Sequence, residues 1–223
     1  MALNSSVSKS NLIHQFKALL PNILIIYLPC FCILLIIGLQ TKIPIGNLTR
    51  DPVAIVGKPF YFGLVSQIGN LFWCSCAAIC FFSAALLRTT KQKINSLYLL
   101  YAGFFTSFLL IDDLFLIHED VFPNYLKISE KIIYFIYIAF LTSYISKFRK
   151  LIIKTEFLPL LLAFFFFGCS VLVDKDLIPI SQYWLENEGV YLLEDGAKLL
   201  GIISWFIYFT RVCLTQIKQV AHR

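Results

Sequence analysis

Charge is scarce in this sequence. Asp, Glu, Lys and Arg together make 14% of its 223 residues, while hydrophobic types make 59%. Soluble domains carry about 25% charged residues, so a soluble globular fold is excluded. The length also leaves no room for an ordinary soluble domain beside a membrane bundle. Histidine is scarcer still: His14, His118 and His222 are the only three. That count excludes a bis-histidine haem, and no haem is expected. Among the seven cysteines there is no CxxC. The pairs Cys30/Cys32 and Cys74/Cys76 are CxC, too tight for the usual zinc or redox knuckle, and they sit in apolar runs where thiols pack as small soft side chains.

What is abundant is uninterrupted apolar sequence. A helix needs about 20 such residues to cross about 30 Å of hydrocarbon. Six segments qualify, at about 18–40, 66–87, 96–118, 129–148, 156–174 and 190–211. The first is no cleavable signal peptide, because its apolar run is too long and no small-residue cleavage site follows. The expected fold is therefore all-α: a polytopic integral membrane protein, a bundle of six transmembrane helices in one domain over 1–223. Twelve Lys and Arg residues fall on one side of these spans and six on the other, which puts both termini in the cytoplasm. The same rule accounts for the net charge of +6 without any nucleic-acid partner. The expected partner is the lipid bilayer of a cell membrane or another energy-transducing membrane, with cations or protons as ligands.

The acids are distributed less evenly than any orientation rule requires. Of thirteen Asp and Glu residues, only Glu156 falls on the cytoplasmic side and Asp51 lies in the first outer loop. The other eleven gather at the outer ends of the third to sixth spans. The densest group is in FLLIDDLFLIHEDVF, residues 108–122. On one continuous helix Asp112 and Glu119 would lie about 20° apart, with Asp113 flanking and His118 about 120° round. His118 could join only by reaching around, or where the helix ends first. In the sixth span, YLLEDGAKLLG places Glu194 four residues before Lys198, the favourable order for an ion pair, with Asp195 at i,i+3. Lys198 is the only cation at depth and needs an acid partner. Gly196 and Gly201 leave room for close helix approach. Gln67 and Asn70 could line the same site. Cys76, Cys80 and Ala84 form a small-residue packing stripe, while Trp73, Tyr183 and Trp184 read as interface anchors.

Intramembrane acids mark functional sites by default. The candidate ligand- or ion-binding residues are Asp112, Asp113, Glu119, Glu194, Asp195 and Lys198. A divalent cation, if held, would take Asp112, His118, Glu119 and Glu194. The leading function is cation or proton binding or transport. A metal-dependent membrane enzyme acting on a lipid-like substrate is the alternative, although three histidines cannot assemble the site of ceramidase- or adiponectin-receptor-type hydrolases, and DDLFLIHED lacks the DDxxD spacing of prenyl-chain enzymes. A structural or assembly factor of a membrane complex is the third reading, in which the acids would serve folding or docking.

Overall fold

The computed structural model describes residues 4–90, 92–175, 177 and 189–221. Asp176, Tyr183, Trp184, Glu186 and Glu188 lie outside the described residues, as does His222. The fold is all-α, with no strand among the described residues. It divides into two compact units, Met1–Phe62 and Gly63–Arg223.

The first unit is a long helix α1 (Asn4–Leu39) followed by two short ones, α2 (Ile45–Thr49) and α3 (Pro52–Ile55). Asp51 caps α3 by accepting from the backbone N–H groups of Val53 and Ala54, the usual use of an Asp side chain at a helix start. The apolar side chains of α1 from Leu24 to Leu39 are almost all exposed. An exposed helix surface that is apolar on every side suits lipid.

The second unit contains α4 (Leu64–Thr89), α5 (Lys93–Phe115), a π-helical turn (Ile117–Tyr125), α6 (Glu130–Ile152), α7 (Leu158–Asp174) and α8 (Gly189–Ala221). α4 packs against both α5 and α8, and α8 also packs against α7. Three of these contacts depend on glycine. A Cβ on Gly69 would come within 3.0 Å of Ile202, on Gly103 within 2.9 Å of Phe81, and on Gly201 within 2.6 Å of the Phe167 ring. Gly201 thus provides the expected close approach, whereas Gly196 faces open space. The Cys76, Cys80 and Ala84 stripe is buried in the core beside Trp205, Tyr208 and Phe209 of α8.

Among the described residues, five stretches are long and apolar enough to cross a membrane: Leu19–Leu39, Leu64–Thr89, Lys93–Phe115, Glu130–Ile152 and Gly189–Val220. The fifth segment of the six expected forms α7, which is apolar but has 17 residues. Pro159 sits in its first turn, where a missing N–H costs nothing, and the helix stops at Asp174. It rises about 25 Å, near the lower limit for crossing the hydrocarbon.

At one end the core closes on neutral hydroxyls. The Tyr98 and Tyr208 hydroxyls are 2.6 Å apart, Thr155 Oγ1 lies 3.0 Å from Tyr208, and Tyr144 donates to the Tyr98 carbonyl. Tyr98 also stacks on Tyr144. Nearer the middle, Trp205 Nε1 donates to the buried Thr106 hydroxyl.

Candidate functional site: a carboxylate-rich cavity

The site forms where α5 ends. The helix stops at Phe115, and Leu116 takes the left-handed conformation with φ 49 and ψ 45. A leucine held there is strained, and such residues concentrate at functional sites. Its N–H still bonds back to the Asp112 carbonyl, and the chain then widens into the π-helical turn, which contains Pro123. Single π turns are likewise common at functional sites.

This reversal brings His118 back onto the helix it has just left. Asp112 Oδ1 accepts the His118 backbone N–H at 2.9 Å, and Asp112 Oδ2 lies 2.6 Å from His118 Nδ1. Both residues are buried, at 3% and 9% exposure. The helix therefore ends before the 120° offset between these residues matters. Asp112 fixes the ring and takes Nδ1 as the donor, so Nε2 is the free nitrogen. Nε2 is 3.5 Å from the Glu119 carboxylate. Burial alone disfavours an imidazolium, but the hydrogen bond and charge of Asp112 outweigh it and hold the His118 pKa above its ordinary value.

Asp113 makes a separate arrangement. Its Oδ1 lies 2.6 Å from Lys198 Nζ on α8, and its Oδ2 accepts from Trp73 Nε1 of α4 at 2.9 Å. One carboxylate thus ties three helices together. Trp73 is 3% exposed, so it is a buried donor and not an interface anchor. An indole N–H at that depth needs an acceptor, and Asp113 supplies it. Lys198 takes its partner from α5, not from Glu194 within its own helix. α4 is the helix packed against both α5 and α8, and the long Lys198 side chain reaches Asp113 on α5.

These groups border a cavity of about 710 Å³, within the size range of small-molecule sites. Its charged end holds Asp112, Asp113, His118, Glu119, Glu194 and Lys198, and Asp174 of α7 also reaches it. Its body is apolar, walled by residues such as Phe105, Leu109, Leu141, Phe164 and Trp205. Tyr134 and Tyr137 of α6 line it beside His118, with ring centroids 5.5 and 6.4 Å from the imidazole. The Tyr137 hydroxyl is buried without a hydrogen-bond partner among the described residues. At the rim, Lys175 pairs with Glu130 at 2.8 Å and Asp174 at 2.9 Å. Partial burial opposes the Lys175 charge, but these two carboxylates raise its pKa above the ordinary lysine value.

Of the sequence-derived candidates, Asp112, Asp113, Glu119, Glu194, Lys198 and His118 meet at this cavity, and Asp195 does not line it. Gln67 and Asn70 are also absent from its walls; Asn70 is buried elsewhere on α4 with its Oδ1 unpartnered. Among the described residues no group of three or more His, Cys, Asp or Glu side chains is arranged to hold a metal ion. Asp112 and His118 are instead spent on each other.

Sequence reasoning missed Trp73, Tyr134, Tyr137 and the aromatic walls. Pro123 was the available signal for the fold-back of His118, because a proline five residues on cannot continue the helical hydrogen-bond ladder.

Comparison with known proteins adds no activity. No curated protein and no solved structure matches the chain. One family model does match, over residues 23–212, which is most of the sequence and includes every residue of the cavity. On that match the chain belongs to the family described as Domain of unknown function (DUF8692).

Proposed function

We propose that this chain is a six-crossing membrane protein with both termini in the cytoplasm, which handles a proton or cation at the outer-leaflet end of its bundle. The Asp112–His118 pair is the proton-handling centre, and Glu119 and Glu194 add negative charge beside it. The observation that carries the reading is the buried carboxylate–imidazole contact of 2.6 Å on the wall of a cavity. A carboxylate that fixes Nδ1 leaves Nε2 to exchange a proton with whatever enters, the same division of labour that tunes catalytic histidines. α7 makes the sixth crossing, short but within the lower bound for a span. Reporter fusions at the two ends should both report cytoplasm.

The pH dependence of stability tests the centre. The His118 pKa is raised in the folded state. Its contribution is therefore fully present below the unfolded value, about 6.5, and is lost as pH rises through the folded value. Wild-type protein should lose thermal stability as pH rises from mildly acidic to mildly alkaline. Asp112→Asn should remain folded and reverse that slope, because without its counter-charge the buried imidazole has a folded pKa below the unfolded value. A wild-type profile that is flat over this range would sink the proposal.

A second reading, an enzyme acting on a lipid-like substrate, is favoured by one specific feature: the cavity has an apolar body and a charged end, the polarity of an amphiphile. In that reading His118 is the general base. Its metal-dependent form has no ready-made ligand set among the described residues.

A further inference from the structure

We infer that the cavity takes an aliphatic amphiphile with a protonated amine or quaternary ammonium head, the head seated among Glu119, Glu194, Tyr134 and Tyr137 and the chain among the aromatic walls. This rests on the reading of the cavity as the functional centre.

The first argument is charge. Five carboxylates line the cavity, from Asp112, Asp113, Glu119, Asp174 and Glu194, against two bases, Lys198 and His118. Even with His118 protonated, three negative charges are in excess. Lys175 offsets one of them from the rim, through Asp174. Two carboxylates remain, Glu119 and Glu194, and neither is within ion-pair distance of a Lys or Arg among the described residues. An anionic head meets the opposite situation. The one lysine that lines the cavity, Lys198, is already held by Asp113 at 2.6 Å. A phosphate or carboxylate head would have to break that pair and then face the surplus acids. Like charges at low dielectric repel strongly, so the cavity selects against it.

The second argument is aromatic. Ring faces attract cations, most of all where water is excluded. Tyr134 already receives one: Lys175 Nζ sits 5.3 Å over its ring centroid. Tyr137 stands next to it, with its ring centroid 6.4 Å away and at 86° to it. Two tyrosine rings set nearly at right angles beside free carboxylates form a partial cage for an ammonium group.

The third argument is shape. Phe105 lies seven residues before Asp112 on α5, about 10 Å deeper along the helix, and both line the same cavity. Polar end and apolar body are thus separated along the bundle axis, as head and chain are in an amphiphile. Gly168 lies on the wall of α7, and a Cβ added there meets nothing within 4 Å. The space beside it is free for a chain.

The test uses the full chain in nanodiscs of zwitterionic phosphatidylcholine, with empty nanodiscs as the blank. Trp73 and Trp205 line the cavity, so chain-brominated dodecylamine, dodecanoic acid and dodecanol should report occupancy by quenching tryptophan fluorescence. Dodecylamine should bind at least about tenfold more tightly than either of the others. Glu119→Gln with Glu194→Gln should weaken the amine by about tenfold or more and leave dodecanol unchanged. Gly168→Phe should abolish quenching by all three, with helical content retained. Equal or tighter binding of the acid or the alcohol by wild-type protein overturns the inference while leaving the cavity as a ligand site. Saturable quenching by none of the three overturns the inference and the ligand cavity together. The wild-type comparison needs no variant to fold.

Discussion

The second unit buries polar groups at both ends, and the two ends are built differently. Around Tyr98, Tyr144, Tyr208 and Thr155 the groups are neutral hydroxyls, satisfied by one another or by backbone, and aromatic rings fill the space between them. Around Asp112, Asp113, His118 and Lys198 the groups are charged, and beside them is an open volume of about 710 Å³. Neutral hydroxyls give specificity to packing at small risk, because an unpaired hydroxyl costs far less than an unpaired charge. Burying charges beside a void is poor scaffolding, since an apolar set of similar volume would often be as stable. The hydroxyl end reads as structure; the charged end is where the proposed chemistry lies.

The largest effect should come from the ion pair at the charged end. Asp113→Asn leaves Lys198 without its counter-charge. Breaking a fully buried pair costs about 3–5 kcal/mol, and because Lys198 is a third exposed the expected loss is about 2–3 kcal/mol. Adding Lys198→Met should restore most of it. Thermal unfolding of the single and double variants decides the matter; a single variant as stable as wild type would mean that Asp113 is not the tie between α4, α5 and α8.

Gly201→Ala should come next. The new methyl group must displace the Phe167 ring, which stacks on Trp73 with centroids 5.8 Å apart. Overpacking of this kind costs about 1–3 kcal/mol. The indole environment should change with it, visible as a shift in tryptophan emission. An unshifted spectrum would show that α7 and α8 separate instead.

Tyr208→Phe at the other end removes the hydroxyl that meets both Tyr98 and Thr155 and should cost about 1–2 kcal/mol, with no pH dependence between acid and mildly alkaline conditions. A pH-dependent loss there would erase the distinction between the two ends.

The smallest effect is expected outside the bundle core. Arg211 makes two hydrogen bonds to Glu156 at 2.7 and 2.6 Å and holds its carboxyl below the ordinary range. A depressed carboxylate stabilises above its unfolded pKa and loses that contribution as pH falls through the folded one. The pair is solvent-exposed, so screening should leave Glu156→Gln indistinguishable from wild type at neutral pH. A clear loss of melting temperature would show that this end also depends on charge.

These two ends were not equally legible in the sequence. A cation in the middle of an apolar run must find an acid, so Lys198 called for a partner among the buried acids, Asp112 and Asp113 included, and Asp113, 85 residues away, proved to be it. The choice between the two acids was not readable, because it depends on where α5 stops. Helical periodicity, carried on past Phe115, placed His118 on the wrong side; the left-handed Leu116 undoes that phase. Membrane class followed from apolar runs, but the short α7 did not separate from the other spans by composition alone. The hydroxyl end was invisible, since tyrosines in apolar runs read as anchors or lipid-facing residues until packing brings Tyr98 to Tyr208. The cavity was invisible for the same reason: it is a space between helices, and its walls come from aromatic residues that look like ordinary core.

The most direct measurement is the ionisation of His118 itself. The chain has three histidines, so histidine-labelled protein in nanodiscs gives a spectrum simple enough to titrate. His118→Gln assigns the signal. In wild-type protein that imidazole should titrate above the ordinary value of about 6.5. In Asp112→Asn it should fall below it, because burial, the largest single influence, is then opposed only by the charge of Glu119, while Asp113→Asn should leave it above that value. A His118 signal that titrates at the ordinary value in wild type, or that Asp112→Asn does not move, would contradict the assignment of Asp112 and His118 as the proton-handling centre.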